Sequence, residues 1–136
     1  PDARSRTMEH SPTPDENRLP GGKLRPCPAT PNCVCSEYPG MRGHVPPIAF
    51  SGDAEQAWAR VRDAVRGLGG DVKEATGAYL RAEFTSRVFR FVDDLELRLD
   101  RDAGVIHVRS ASRVGYSDLG ANARRVARLR ARGHDS

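Results

Sequence analysis

Ten consecutive residues, Arg109-Ser-Ala-Ser-Arg-Val-Gly-Tyr-Ser-Asp118, hold an unusual density of chemistry. They supply two guanidinium groups, three serine hydroxyls, a phenol and a carboxylate, while only Ala111 and Val114 are plainly apolar. Guanidinium forks bind carboxylate and phosphate through paired hydrogen bonds. A helix N-terminus adds free N–H groups and the positive end of the helix dipole. The stretch falls where a strand leads into a helix. Arg109, Ser110, Ser112, Arg113, Tyr116, Ser117 and Asp118, with Asn122 one turn further on, therefore form a candidate site for an anion or small ligand. Asp118 works partly against this, because a carboxylate competes for the same N–H groups as a cap. The rival account is a buried polar network, in which Arg109 or Arg113 pairs with Asp93 or Asp94 and the serines cap backbone groups.

The second cluster is Cys27-Pro-Ala-Thr-Pro-Asn-Cys33-Val-Cys35-Ser36. Pro28 and Pro31 fix two backbone angles and Asn32 suits a turn, so the loop can hold Cys27 close to Cys33 or Cys35. Three uses of the thiols stay open: a Cys27–Cys33 disulfide with Cys35 free, as in an extracytoplasmic protein; reduced thiols packed as small hydrophobes; or a metal site completed by His44. The last lacks the paired C-x-x-C spacing that zinc favours, and no metal or cofactor is expected. A catalytic thiol needs a depressed pKa and a neighbouring base, and the sequence places none beside these cysteines. No Ser-His-Asp order is evident, and His107 falls on the opposite strand face from Ser110. Asp93 and Asp94, being adjacent on a strand, point to opposite faces and make a poor acid–base pair. A hydrolase or thiol enzyme would have to use Cys33 or Ser112, with His44, His107 or a carboxylate in reach.

These groups must be positioned by the elements around them. Asp53 with Gln56 reads as a capping box. Ala54, Ala57, Trp58, Val61, Val65 and Leu68 then recur at helical spacing up to Gly69-Gly70. Strands are expected at Val72–Ala75, Tyr79–Thr85, Asp93–Leu99 and Val105–Val114, with Val88–Val92 a strand or a connector. Across the Asp100–Gly104 turn, matching faces set Leu97 opposite Ile106, Leu95 opposite Val108, Glu96 opposite His107, Asp94 opposite Arg109 and Asp93 opposite Ser110. A last helix is expected from about Ser117 to Arg132, with Leu119, Ala123, Val126 and Leu129 as its apolar stripe. The expected fold is α+β: an antiparallel sheet of about four strands with two helices on one face, in two layers.

Composition narrows the class. The chain has 136 residues, 38% hydrophobic and 6% aromatic, enough for one domain with a thin core. Residues 1–22 are polar and proline-rich and read as a disordered arm or linker, which leaves a single domain over 23–133. The sequence starts at Pro1, as expected of a processed or truncated chain, and any signal or anchor would have stood in a removed segment before it. No run of about 18 apolar residues is present, so membrane attachment would come through that removed segment. The net charge is +4, and the basic excess lies after Val105, where seven Arg face two Asp. An Arg-rich last helix could meet nucleic acid, but no aromatic stacking platform accompanies it.

Three stretches resemble the DUF1499 family, a domain of unknown function: Cys27–Ser36, Phe91-Val-Asp-Asp94, and Val105 through Asn122 running on to Arg124-Arg125. The resemblance spans about residues 25–131. Many members resemble membrane-associated or exported proteins, which implies a periplasmic or otherwise extracytoplasmic location. Many relatives carry Ser at the position of Cys35, which favours Cys27 and Cys33 as the bonded pair. The resemblance brings no reaction or cofactor. The expected function is an extracytoplasmic accessory or binding domain whose anionic small molecule or protein partner meets the Arg/Ser-rich junction. Contact between the cysteine loop and that junction would merge the two clusters into one site.

Overall fold

The computed structural model describes residues 22–114 and 120–133. The 1–22 arm, apart from Gly22, and the candidate residues Tyr116, Ser117 and Asp118 lie outside the described residues. Among the described residues the order is β1 (Cys33–Cys35), β2 (Ile48–Ala49), α1 (Ala54–Gly67), β3 (Asp71–Ala75), β4 (Tyr79–Thr85), β5 (Val92–Asp100), β6 (Val105–Ser112) and α2 (Ala121–Gly133). The strands form one antiparallel sheet in the order β1-β6-β5-β4-β3, and β2 pairs with β6 beside β1. The fold is α+β, with six strands rather than four. The two extra strands are three and two residues long, too short to leave a periodic signal.

α1 begins at Asp53, whose carboxylate accepts from the Glu55 N–H. It buries Ala57, Trp58, Val61, Ala64 and Val65. The Trp58 indole N–H donates to the Thr76 carbonyl at 3.0 Å, so its polar edge is satisfied inside the core. α2 buries Asn122, Val126, Leu129 and Gly133, not the expected Ala123, which is exposed. It crosses α1 where Gly133 meets Val61: a Cβ on Gly133 would stand 2.8 Å from the Val61 Cγ2. Both helices pack on the sheet face carrying Leu80, Ala82, Phe84, Leu95, Leu97, Leu99, Ile106 and Val108.

The β5–β6 register differs from the expected one by two residues. Leu97 opposes Val108, Leu99 opposes Ile106, Glu96 opposes Arg109 and Arg98 opposes His107. Asp93 meets Ser112 and Asp94 meets Ala111. A shift of two keeps each side chain on its face, so the alternation could not detect it. The turn decides it: Asp100 pairs with Val105, and Gly104 closes the turn in the left-handed region at φ 69.

The second face of the sheet is not bare. Coil on either side of β1 lies over it, bringing Leu24 and Tyr38 against Tyr79 and Cys35 in a small separate core. This covering is irregular chain rather than a further helix. A Cys27–Cys33 disulfide ties this coil, with Cα atoms 5.6 Å apart. Gly43 packs so closely on it that a Cβ would stand 2.6 Å from the Cys33 carbonyl oxygen.

Candidate functional site

The cysteine loop touches the described part of the junction, from Arg109 to Ser112. β1 pairs along β6, with Cys33 opposite Ala111, Val34 opposite Ser110 and Cys35 opposite Arg109. Strand alternation then divides the candidate residues between two faces.

On the helix-covered face, Asn122 is fully buried and acts as a hub. Its carbonyl oxygen accepts from the Ser110 hydroxyl at 2.6 Å and from Arg125 at 2.8 Å. Its amide N–H groups donate to the Asn32 carbonyl at 3.2 Å and the Ser112 hydroxyl at 3.0 Å. One side chain thus joins α2, β6 and the cysteine loop. Arg125 also pairs with Asp93 at 2.9 Å and lies over the Phe84 ring, 4.6 Å from its centroid. Asp93, a carboxylate on an inward face, is held by that partner.

On the coil-covered face, Arg113 grips Asp94 with two hydrogen bonds, at 2.7 and 2.9 Å, and reaches Glu83 at 2.8 Å. The Asp94 hydrogen bonds and the nearby Glu83 hold its pKa above the ordinary guanidinium value. Arg109 donates to the Arg25 and Pro26 carbonyls and lies 3.8 Å from Glu96. Burial pushes the Glu96 carboxyl above its ordinary range, and the Tyr79 hydroxyl, donating at 2.6 Å, pulls it back in part. The structure thus brings Ser110, Ser112 and Asn122 together, and it places Arg109 and Arg113 on the other side of the sheet with internal partners.

Sequence reasoning missed a third group on this face. Glu37, buried beneath the coil, accepts two hydrogen bonds from Arg98, at 2.6 and 2.8 Å, and one from the Leu24 N–H. Burial works to raise its pKa, but these donors and the neighbouring positive charge carry it below the ordinary value. The Ser36 hydroxyl oxygen accepts from the Val108 N–H at 2.9 Å and meets His107 Nδ1 at 2.8 Å. His107 Nε2 stands 3.6 Å from Glu37. Burial lowers the imidazole pKa below its ordinary value, against the pull of the Glu37 carboxylate. The trio has the residue types of a hydrolase triad, but Ser36 is only 2% exposed, so its oxygen is shut off from substrate. Its work is to fasten the coil to β6. The signal was faint, because Ser36 and Glu37 directly follow the cysteines while their partners lie on distant strands.

The cysteine chemistry is settled in part by bonding. Cys33 is joined to Cys27, which removes it as a nucleophile and both as thiolate ligands. Cys35 is free and buried, and burial raises its pKa, the direction of an inert thiol. His44 is exposed, and no metal-holding group of His, Cys, Asp and Glu occurs among the described residues.

A cleft of about 650 Å³ opens at the end of the sheet. Leu68, Phe84, Phe91 and Val114 form apolar walls, and Ser86, Arg87, Asp93, Ser112 and Arg125 contribute polar groups. It lies between the β4–β5 connection and the start of α2, so the hub around Asn122 stands directly behind it. A smaller hollow of about 230 Å³ lies beside the disulfide, lined by Pro31, Arg42, Gly43, Gly120 and Ala123 among others. No described helix is long and apolar enough to cross a membrane.

The three stretches that suggested a family are the ones that converge here: Asn32 from the first, Phe91 and Asp93 from the second, Ser110, Ser112 and Asn122 from the third. Neither the curated proteins nor the solved structures include a match to the chain. The family model described as "Protein of unknown function (DUF1499)" matches residues 23–132. By that match over most of its length, the chain belongs to the DUF1499 family.

Proposed function

We propose that this chain is a non-catalytic binding domain that takes a small molecule with an apolar body and an acidic end into the cleft between the β4–β5 connection and α2. The observation that carries the reading is the cleft itself. Its volume of about 650 Å³ falls within the range of small-molecule sites, and its apolar walls with a few polar groups match their usual make-up. Anion recognition shifts from Arg109 and Arg113, which have internal carboxylate or carbonyl partners, to Arg87. That guanidinium is exposed at the cleft and has no ion pair among the described residues. Ser86 and Ser112 supply neutral hydrogen bonds beside it.

An extracytoplasmic setting is the second part of the proposal. The Cys27–Cys33 disulfide supports it, since such bonds persist where thiols are not kept reduced. An enzyme is the weaker reading. Cys33 is consumed by the disulfide, and no histidine lines the cleft that holds Ser112.

A thermal-shift panel of carboxylates and phosphate monoesters, followed by titration of any hit, tests the cleft. A hit at a hundred times its Kd should stabilise the chain by about 2.7 kcal/mol. Arg87→Gln should weaken it about tenfold, the loss of one charge-assisted hydrogen bond. A panel without hits, or a hit indifferent both to Arg87→Gln and to the cleft-filling Ser112→Phe, would reject the proposal.

A further inference from the structure

From the loop beside the cleft we infer that the β4–β5 connection is a docking tip for an anionic lipid bilayer surface. This goes beyond the binding reading and does not depend on it. The Ser86 N–H donates to the Phe91 carbonyl at 2.8 Å, and the Phe91 N–H donates to the Ser86 hydroxyl at 2.9 Å. The loop is therefore closed at its base and projects Arg87-Val-Phe-Arg90 as a tip. Val88, Phe89 and Phe91 are 80%, 70% and 53% exposed. Three of the four large hydrophobic side chains exposed among the described residues sit on these few positions; Met41 is the fourth. Phe89 and Phe91 stack on each other, with centroids 5.6 Å apart, instead of on the core. Arg90 between them has φ 61, the single positive φ at a non-glycine residue among those described. A bulky side chain is costly there. The backbone thus holds a strained conformation that sets two aromatic rings side by side in solvent.

Exposed apolar side chains in one patch mark a docking surface; charge and shape identify the occupant. Arg87 and Arg90 alternate with the apolar groups, the pairing of insertion and attraction that anionic bilayers reward. A second copy would set these arginines against their own kind. A convex tip of six residues also cannot supply the roughly 800 Å² per partner of a stable protein interface. A bilayer surface needs neither a matching cavity nor that area, and aromatic rings are at home at its headgroup level.

The test is sedimentation of the full 136-residue chain with vesicles of phosphatidylcholine alone and with about one third phosphatidylglycerol. The wild-type chain should bind the anionic vesicles and leave the neutral ones largely unbound. Phe89→Ser with Val88→Ser should lower partitioning at least about tenfold, since binding scales with the apolar area inserted. Arg87→Gln with Arg90→Gln should lower it several-fold and flatten its dependence on salt. Circular dichroism of each variant checks that the fold is intact, and Phe89→Trp, which keeps the apolar area, should retain binding with a blue-shifted emission. Three results would overturn the inference: no binding to anionic vesicles, binding indifferent to the Val88 and Phe89 change, or a concentration-dependent dimer that the same change abolishes.

Discussion

β5 presents two different problems to the rest of the molecule. One side of it shows Leu95, Leu97 and Leu99, the other Asp94, Glu96 and Arg98, and the buried residues include members of both sets. The leucine side is covered by two helices, whose apolar stripes need only fit in shape. The charged side is covered by coil, and there each group has a named partner: Glu37 for Arg98, Tyr79 for Glu96, Arg113 for Asp94. Irregular chain suits this task because its carbonyls are not committed to a ladder, and Arg109 takes two of them. A helix would bring a mostly satisfied backbone to the same surface. The difference teaches that one face is specified by volume and the other by pairing.

The two faces should therefore fail differently. Trp58→Ala, on the helix side, should cost about 3–5 kcal/mol by leaving a cavity, with little dependence on salt or pH in urea melts. Glu37→Ala, on the coil side, should cost about 3 kcal/mol, because it leaves the Arg98 charge enclosed without its partner. Its double replacement, Glu37→Leu with Arg98→Met, should recover most of that loss; equal loss in single and double variants would mean that pairing is not what specifies this face. The gap between wild type and Glu37→Ala should also close in acid. A carboxyl with a lowered folded pKa gives stability that is present above its ordinary value of 4.5 and lost as pH falls through the folded one. The smallest effect belongs to His107. Its folded pKa is lowered from 6.5 by burial, so the unfolded chain takes up the proton first and stability drops as pH falls through that region. Stability measured from neutral pH downward should fall less steeply there in His107→Gln; an unchanged slope would place the proton uptake elsewhere.

Much of the helix side was legible. The α1 stripe, its Asp53 cap and the inward faces of β4, β5 and β6 all follow from spacing. The register did not, because a period of two is blind to a shift of two, and only turn length distinguishes the alternatives. The coil side was read wrongly for a physical reason. Alternating charges on a strand ordinarily face water, and nothing local in Tyr79, Glu96 or Arg98 says that the coil around Leu24 and Glu37 returns to cover them. The serines and arginines at the end of β6 looked like a single site because they are neighbours in sequence. The pleat sends them to opposite sides, and the guanidinium that reaches Ser110 and Asp93 is Arg125, from the following helix. The cleft could not be foreseen, since its walls come from α1, β4, β5, β6 and α2.

The Asn122 amide has a consequence for how such chains can diverge. Its oxygen and nitrogen are matched, in opposite senses, to the Ser110 and Ser112 hydroxyls and to the Asn32 carbonyl. An isosteric Asp or Leu at that position would strand a donor or an acceptor in a space that water does not reach. Positions 32, 110, 112 and 122 therefore form one heritable unit, and substitutions among them should arise in concert across descendants rather than one at a time.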